Sequence, residues 1–274
     1  MTFWREASTL ILALRTVLSD GSSKLSSRPS YAAYYKVLML RRSARSSFMP
    51  SKLVFPGGVV QDADSSGDWN AVFEKVLGRS LSDMNCQTSS STASRYLHNT
   101  SLDNWALPSD VAYRICAIRE TFEESGLLLA TNRELLSPSR QPFVVSHSAS
   151  ELTKPTEDER RKVEQNPEYF MQMCMDLGVV PDVWALHVWR NWLTPVFRKV
   201  SAPSAKPKRF NTMFFVCCVD CNSVPLTVAD EGETTQAEVS LMRYLYVIYA
   251  LVTTTIRRAF DMQLTVYQRS LTSQ

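Results

Sequence analysis

"RICAIRETFEESGLLLA" (residues 114–130) places Glu120, Glu123 and Glu124 beside Arg119 within about two turns of a helix. Ahead of it, Pro108-Ser109-Asp110 supplies a helix start with Ser109 or Asp110 as N-cap, and Gly126 supplies the stop. Between them Val111, Ile115, Ile118 and Phe122 recur at helical spacing and define an apolar face. The three acids fall on the opposite side. The expectation is a helix that packs by one face and displays its carboxylates on the other. Like charges three and four residues apart destabilise an isolated helix, so the crowding calls for compensation. A hard divalent cation would supply it, since Mg²⁺ is held by one or two carboxylates together with a substrate's phosphates. A plain solvated acidic face is the alternative that the spacing leaves open.

Outward from this helix the chain alternates strand-like and polar stretches. "TLILALRTVL" (9–18) and "YYKVLMLRRS" (34–43) read as strands separated by a Ser/Gly/Pro-rich loop. Leu53-Val54-Phe55 reads as a short strand stopped by Pro56-Gly57-Gly58. From Asp62 to Leu107 the composition turns polar and low in complexity, with Trp69, Phe73 and Val76 allowing one short helix; this is expected to be a partly mobile insertion. Residues 149–176 read as a surface helix or helix pair, followed by aromatic-rich strands in "VWALHVWRNWLTPVF" (183–197) and "RFNTMFFVCCVD" (209–220). Strands before and after a long helix imply an α+β domain with a mixed sheet and helices packed on it.

Composition narrows the function. The chain of 274 residues is long enough for one large core, and its net charge of +3 argues against a dedicated nucleic-acid binder. Cys218 and Cys221 form a lone C-x-x-C with no second ligand pair, so reduced thiols in a reducing compartment are expected. No G-x-S-x-G elbow accompanies His98, His147 or His187, which are expected as core or surface residues. Neither a secretory leader nor a membrane span is read, and the chain is expected to act inside the cell.

The stretch "RETFEESGL" (119–127) matches the second half of the Nudix signature G-x5-E-x7-R-E-U-x-E-E-x-G-U, in which U is a bulky aliphatic residue. "FPGGVVQDAD" (55–64), led by Gly58, supplies the glycine half. The sequence thus resembles the Nudix hydrolases, and within them it is similar to the acyl-coenzyme A diphosphatase branch. The similarity runs through "WREAST", "RSARSSFMPSKLVFPGGVVQDADSSGDW", "LPSDVAYRICAIRETFEESGLLL", "WRNWLTP" and "KRFNTMFFVCC". It implies a Nudix domain over residues 4–240, a mixed sheet sandwiched between helices, with the insertion at 63–107 inside the motif. A divergent tail follows at 241–274.

What the resemblance implies for chemistry is specific. Glu120, Glu123 and Glu124 would ligate Mg²⁺ or Mn²⁺, Arg119 would orient them, and Glu123 (or Glu124) would activate the water. The turn at Phe55, Gly57 and Gly58 would bring backbone near a diphosphate. Arg42, with Arg45 and Lys52 behind it, is a further candidate for phosphate or coenzyme A contacts. The implied substrates are small molecules, coenzyme A and its acyl esters, cut to 3′,5′-ADP and (acyl-)4′-phosphopantetheine. Trp184, Trp189 and Trp192 are candidates for an apolar acyl groove, with core packing as the default. Departures from the pattern are Asp64 for the first glutamate, the lengthened spacer to Arg119, Thr121 at an aliphatic position, Asn211 where aspartate is expected, and everything after Val239. Two other readings stay open: a Nudix-fold binding protein with weak catalysis, and a hydrolase of ADP-ribose or NADH. Family analogy implies a peroxisomal location, with the mitochondrion as alternative, although Thr272-Ser273-Gln274 is not a Ser-Lys-Leu type address.

Overall fold

The computed structural model describes residues 4–16, 34–44, 50–81, 107–135, 155–194, 209–220 and 234–241. Strand β1 (Arg5–Thr16) is central, and Leu10, Ile11, Leu12, Ala13 and Leu14 are all but inaccessible to solvent. A continuous apolar run of this kind belongs to a strand covered on both faces. Strand β2 (Tyr34–Arg42) pairs antiparallel with β1, and β3 (Leu53–Val54) pairs antiparallel with β2. On the other edge of β1 lies β8 (Phe210–Asp220), in parallel register over its whole length, and β7 (His187–Leu193) runs antiparallel to β8. Strand β9 (Thr234–Leu241) pairs with β2, while β5 (Ala130–Thr131) and β6 (Val180–Pro181) form a separate small ladder. The sheet is mixed, as the sequence implies.

Phe55-Pro56 interrupts the chain without ending the sheet. Gly57–Val59 resumes as β4, antiparallel to β1 with Thr9 opposite Gly57 and Ser8 opposite Gly58. Gly57 makes this possible at φ +152°, where a Cβ would come within 2.3 Å of the Ser8 carbonyl oxygen. The expected stop is therefore a sharp re-entry against β1.

The two faces of the sheet differ. Leu10, Leu12 and Leu14 of β1 and Met213, Phe215 and Cys217 of β8 join the main core, to which the described helices contribute most of their buried apolar residues. Ile11, Ala13, Val37 and Val216 form a smaller cluster on the opposite face, together with Met39, Phe55, Trp189, Phe214 and Cys218. Helix α1 (Trp69–Leu77) opens the segment read as an insertion, yet Trp69, Val72, Phe73 and Leu77 belong to the main core. Trp69 also donates its indole N–H to the Ala63 carbonyl. The first part of that segment is thus structural; residues 82–106, and the tail from 242 onward, lie outside the described residues.

Helix α2 (Ser109–Ser125) carries the opening stretch and ends at Gly126, whose N–H bonds the Phe122 carbonyl. Its N-cap is Pro108, with no side-chain cap, rather than Ser109 or Asp110. Helices α3 (Glu157–Gln165) and α4 (Glu168–Asp176) form the expected pair, and α3 starts with a capping box between Thr156 and Glu159. No helix among the described residues is long and apolar enough to cross a membrane. Cys116, Cys174, Cys217 and Cys218 are free thiols, and Cys221 lies outside the described residues.

Candidate active site

Val111, Ile115, Ile118 and Phe122 are buried, as their spacing requires. The opposite face is not displayed to solvent. Glu124 is buried, and the Glu120 and Glu123 side chains keep only 14% and 13% exposure. Strand β4 and the 3₁₀ turn Asp62–Ser65 lie over them. The acids therefore sit in a covered seam between helix and loop, and this corrects the expectation of an open ridge.

Arg119 organises the seam. Its Nε and Nη2 donate to Asp64 Oδ1 and Oδ2 at 2.7 and 2.9 Å, with both side chains 1% exposed. The remaining donors reach Glu123 Oε1 at 2.7 Å and Glu120 Oε1 at 3.0 Å. Planar guanidinium geometry allows this division between a bidentate partner and two single ones. Asp64 also accepts the Gln61 N–H, so one carboxylate closes the 3₁₀ turn and fixes the arginine. Sequence comparison registers Asp64 only as a departure from glutamate. Its signal is positional: it stands at the acidic place of the signature, six residues after Gly58.

The glycine turn meets the helix directly. Gly57 N–H donates to Glu124 Oε2 at 2.9 Å. A Cβ on Gly58 would lie 2.4 Å from the Glu120 carboxyl, so any larger residue here would push that carboxyl aside. Phe55 turns to the other face of the sheet, within the smaller cluster. Arg42 is held by its own hairpin, its N–H on the Lys52 carbonyl and its register partner Thr234 on β9. Gly57, Gly58, Arg119, Glu120, Glu123 and Glu124 are thus brought together, while Arg42 belongs to a different part of the sheet. Arg45 lies outside the described residues.

Burial dominates the electrostatics. It pushes the Glu120 carboxyl up to about 8, against the pull of Arg119 and with repulsion from Glu123 and Asp64 added. Glu123 moves the same way for the same leading cause. One guanidinium shared among Asp64, Glu120 and Glu123 does not offset so many acids. Burial also pushes up the Cys116 thiol, which lies between the Gly58 carbonyl and Arg119 and is a protonated packing group, not a nucleophile.

The model of the NUDT19 Nudix domain matches residues 4–250. The chain belongs to the NUDT19 Nudix family. It is 36% identical over 245 residues to the acyl-coenzyme A diphosphatase NUDT19 of Xenopus laevis, covering 86% of this chain and 61% of that protein. To the protein of the same name from Homo sapiens it is 38% identical over 221 residues, covering 79% of this chain and 56% of that one. The chain thus spans about three fifths of the length of these curated relatives. A Nudix hydrolase from Alicyclobacillus acidocaldarius shares the fold, with a TM-score of 0.54 at 21% identity over 91% of this chain and 84% of that one.

Within this NUDT19 Nudix domain the departures have local explanations. Thr121, fully buried at an aliphatic position, satisfies its hydroxyl on the Ala117 carbonyl at 2.7 Å. Asn211 donates to Glu6 Oε2 at 2.9 Å, an oxygen that also accepts the Tyr113 hydroxyl, while Trp4 donates to Glu6 Oε1. This cluster pins β1, β8 and α2 to one another; an aspartate at 211 would present a second carboxylate to Glu6. Arg160 of α3 donates from Nε to the Glu123 carbonyl at 2.7 Å, so a cation covers the end of the helix that bears the acids. Neither Glu6 nor Arg160 belongs to the signature, and the sequence alone did not point to them.

Proposed function

We propose that the chain hydrolyses the diphosphate linkage of coenzyme A and its acyl esters, releasing 3′,5′-ADP and (acyl-)4′-phosphopantetheine. The observation that carries the reading is the covered seam in which Arg119, Glu120, Glu123 and Glu124 face the Gly57–Gly58 backbone, in a chain of this family. The relatives' name, acyl-coenzyme A diphosphatase, supports the same substrate class.

Glu120, Glu123 and Glu124 would hold Mg²⁺ or Mn²⁺, which when bound lowers the pKa of a water and neutralises charge on a diphosphate. The donor set fits by its chemistry: hard carboxylate oxygens in excess of the single shared guanidinium, with burial holding Glu120 up to about 8. A second sign is Ser8 Oγ, fully buried opposite Gly58, with no hydrogen-bond partner among the described residues. The three acids are turned to Arg119 and Gly57 N–H, and no three such side chains converge on one point among the described residues. Arg119 then positions Glu123, our candidate for the group that takes the proton of the attacking water, with Glu124 the alternative. The backbone at Gly57 and Gly58, with Phe55 beside it, would border the diphosphate, and Arg42 would contact another part of the coenzyme A molecule.

Purified protein incubated with coenzyme A and Mg²⁺ should yield 3′,5′-ADP and 4′-phosphopantetheine in equal amounts by chromatography. Faster cleavage of ADP-ribose or NADH in a parallel panel would move the assignment to those substrates. The scattered ligand set favours a second reading, a Nudix-fold binding protein, which coenzyme A bound but uncut would support. By family analogy we propose a location inside the cell, in peroxisomes with mitochondria as the alternative; a tagged chain that coincides with neither marker would refute this.

A further inference from the structure

We infer that the outer face of the sheet, at Trp189, Trp192 and Phe214, is the seat of the substrate's 3′-phosphoadenosine end, with Arg190 as the partner of its 3′-phosphate. The assignment rests on the coenzyme A reading above and gives that site its second half. Of the three tryptophans read as acyl-groove candidates, Trp184 packs edge-on against Phe73 and joins the main core. The other two do not. Trp189 and Trp192 lie 6.2 Å apart, at 6.0 and 5.8 Å from Phe214, and Trp192 is 54% exposed.

Strict alternation would send residues three apart in a strand to opposite faces. A register shift between Val188 and Arg190 makes Trp189 an extra residue in β7, and this bulge brings both indoles to one face. Bulges of this kind re-aim side chains and occur beside active sites.

The register also links this wall to the seam. Gly57, Thr9, Phe214 and Arg190 lie in one row across β4, β1, β8 and β7. Gly57 is the residue whose N–H bonds Glu124, and Phe55 just before it packs in the cluster that holds Trp189 and Phe214. At about 4.8 Å per strand, Phe214 stands about 10 Å and Arg190 about 14 Å from Gly57. A nucleotide whose diphosphate lies at Gly57 can reach the wall through its ribose by turning past Gly57 to the outer face, as the chain itself does at Phe55.

The choice of the adenine end over an acyl chain follows from shape and charge. Trp192 presents an exposed indole beside the half-buried Trp189 and Phe214, a flat face on which a purine can stack but which leaves an alkyl chain wet on one side. Arg190 is exposed, and among the described residues it has no ion pair. A free cation beside aromatic rings matches an adenosine bearing an extra phosphate.

Calorimetric titration of the protein with 3′,5′-ADP and with 5′-AMP tests this without turnover. Trp192→Ala should weaken both ligands about tenfold. Arg190→Ala should weaken 3′,5′-ADP about tenfold and leave 5′-AMP unchanged, and being an exposed substitution it should not disturb folding. Unchanged affinity of both variants for 3′,5′-ADP overturns the assignment. So does a Trp192→Ala variant whose KM rises for long-chain acyl-coenzyme A but not for coenzyme A. A wild-type protein that binds 3′,5′-ADP through these residues but leaves coenzyme A intact would sink the hydrolase reading and keep the seat. A protein that cuts coenzyme A with both variants unaffected would do the reverse.

Discussion

Replacing Asp64 with asparagine keeps the shape of a side chain that is 1% exposed and removes its charge. The amide oxygen can still accept one N–H of Arg119, but its NH₂ then faces the other donor, so the bidentate pair at 2.7 and 2.9 Å is broken. Removing one partner of a buried ion pair costs about 3–5 kcal/mol. Two features place this case at the low end. Arg119 keeps Glu120 and Glu123, and the loss of the Asp64 charge relieves its repulsion on both. The expected loss is about 3 kcal/mol, roughly a hundredfold in the folding equilibrium. Urea unfolding followed by circular dichroism measures it directly. Asp64→Glu should restore the charge and lose about 1–3 kcal/mol through the extra methylene alone. A loss below about 0.5 kcal/mol for Asp64→Asn, the range of ordinary surface changes, would refute the claim that this pair anchors the seam.

Gly58→Ala should lower coenzyme A turnover at least tenfold by pushing the Glu120 carboxyl aside, and should add nothing in a Glu120→Gln background; full additivity of the two changes would contradict the contact. Because the folded Glu120 titrates near 8 against an ordinary 4.5, the folded state holds a proton that the unfolded chain releases. That contribution is complete below about 4.5 and lost as the pH rises through about 8, so without metal Tm should fall across this window and Mn²⁺ should counter the fall. A metal-free Tm that rises steadily from pH 5 to 8 would speak against it. Asn211→Asp, by facing Glu6 with a second carboxylate, should lose about 1–3 kcal/mol at pH 8 in the same urea titration. Equal stability of the variant and wild type at pH 8 would show that the cluster tolerates the charge. Arg160→Ala should lose about 1–2 kcal/mol by uncovering the Glu123 carbonyl, read by the same urea titration.

The α+β class, β1, β2, α1, α2 and the α3–α4 pair were legible because each depends on local periodicity or on a terminator such as Gly126. The aromatic-rich apolar run in 209–220 likewise revealed β8. The seam was only half legible. Spacing shows that Glu120, Glu123 and Glu124 share a side of α2, but not that β4 returns over that side, since the return depends on Gly57 meeting Ser8 of a distant strand. Asp64 is 55 residues from Arg119, and no local signal predicts a pairing at that separation. The outward turn of Trp189 and Trp192 was illegible for another reason: it depends on a one-residue bulge, and a bulge reverses the parity on which strand reading rests.

Soaking crystals of the protein in Mn²⁺ and locating the ion by its anomalous scattering tests the central claim. The account predicts a peak between the Glu120, Glu123 and Glu124 carboxylates, with Glu124 drawn off the Gly57 N–H, and no peak in Glu124→Gln. A seam left without manganese, its acids still turned to Arg119 and Gly57, would contradict it.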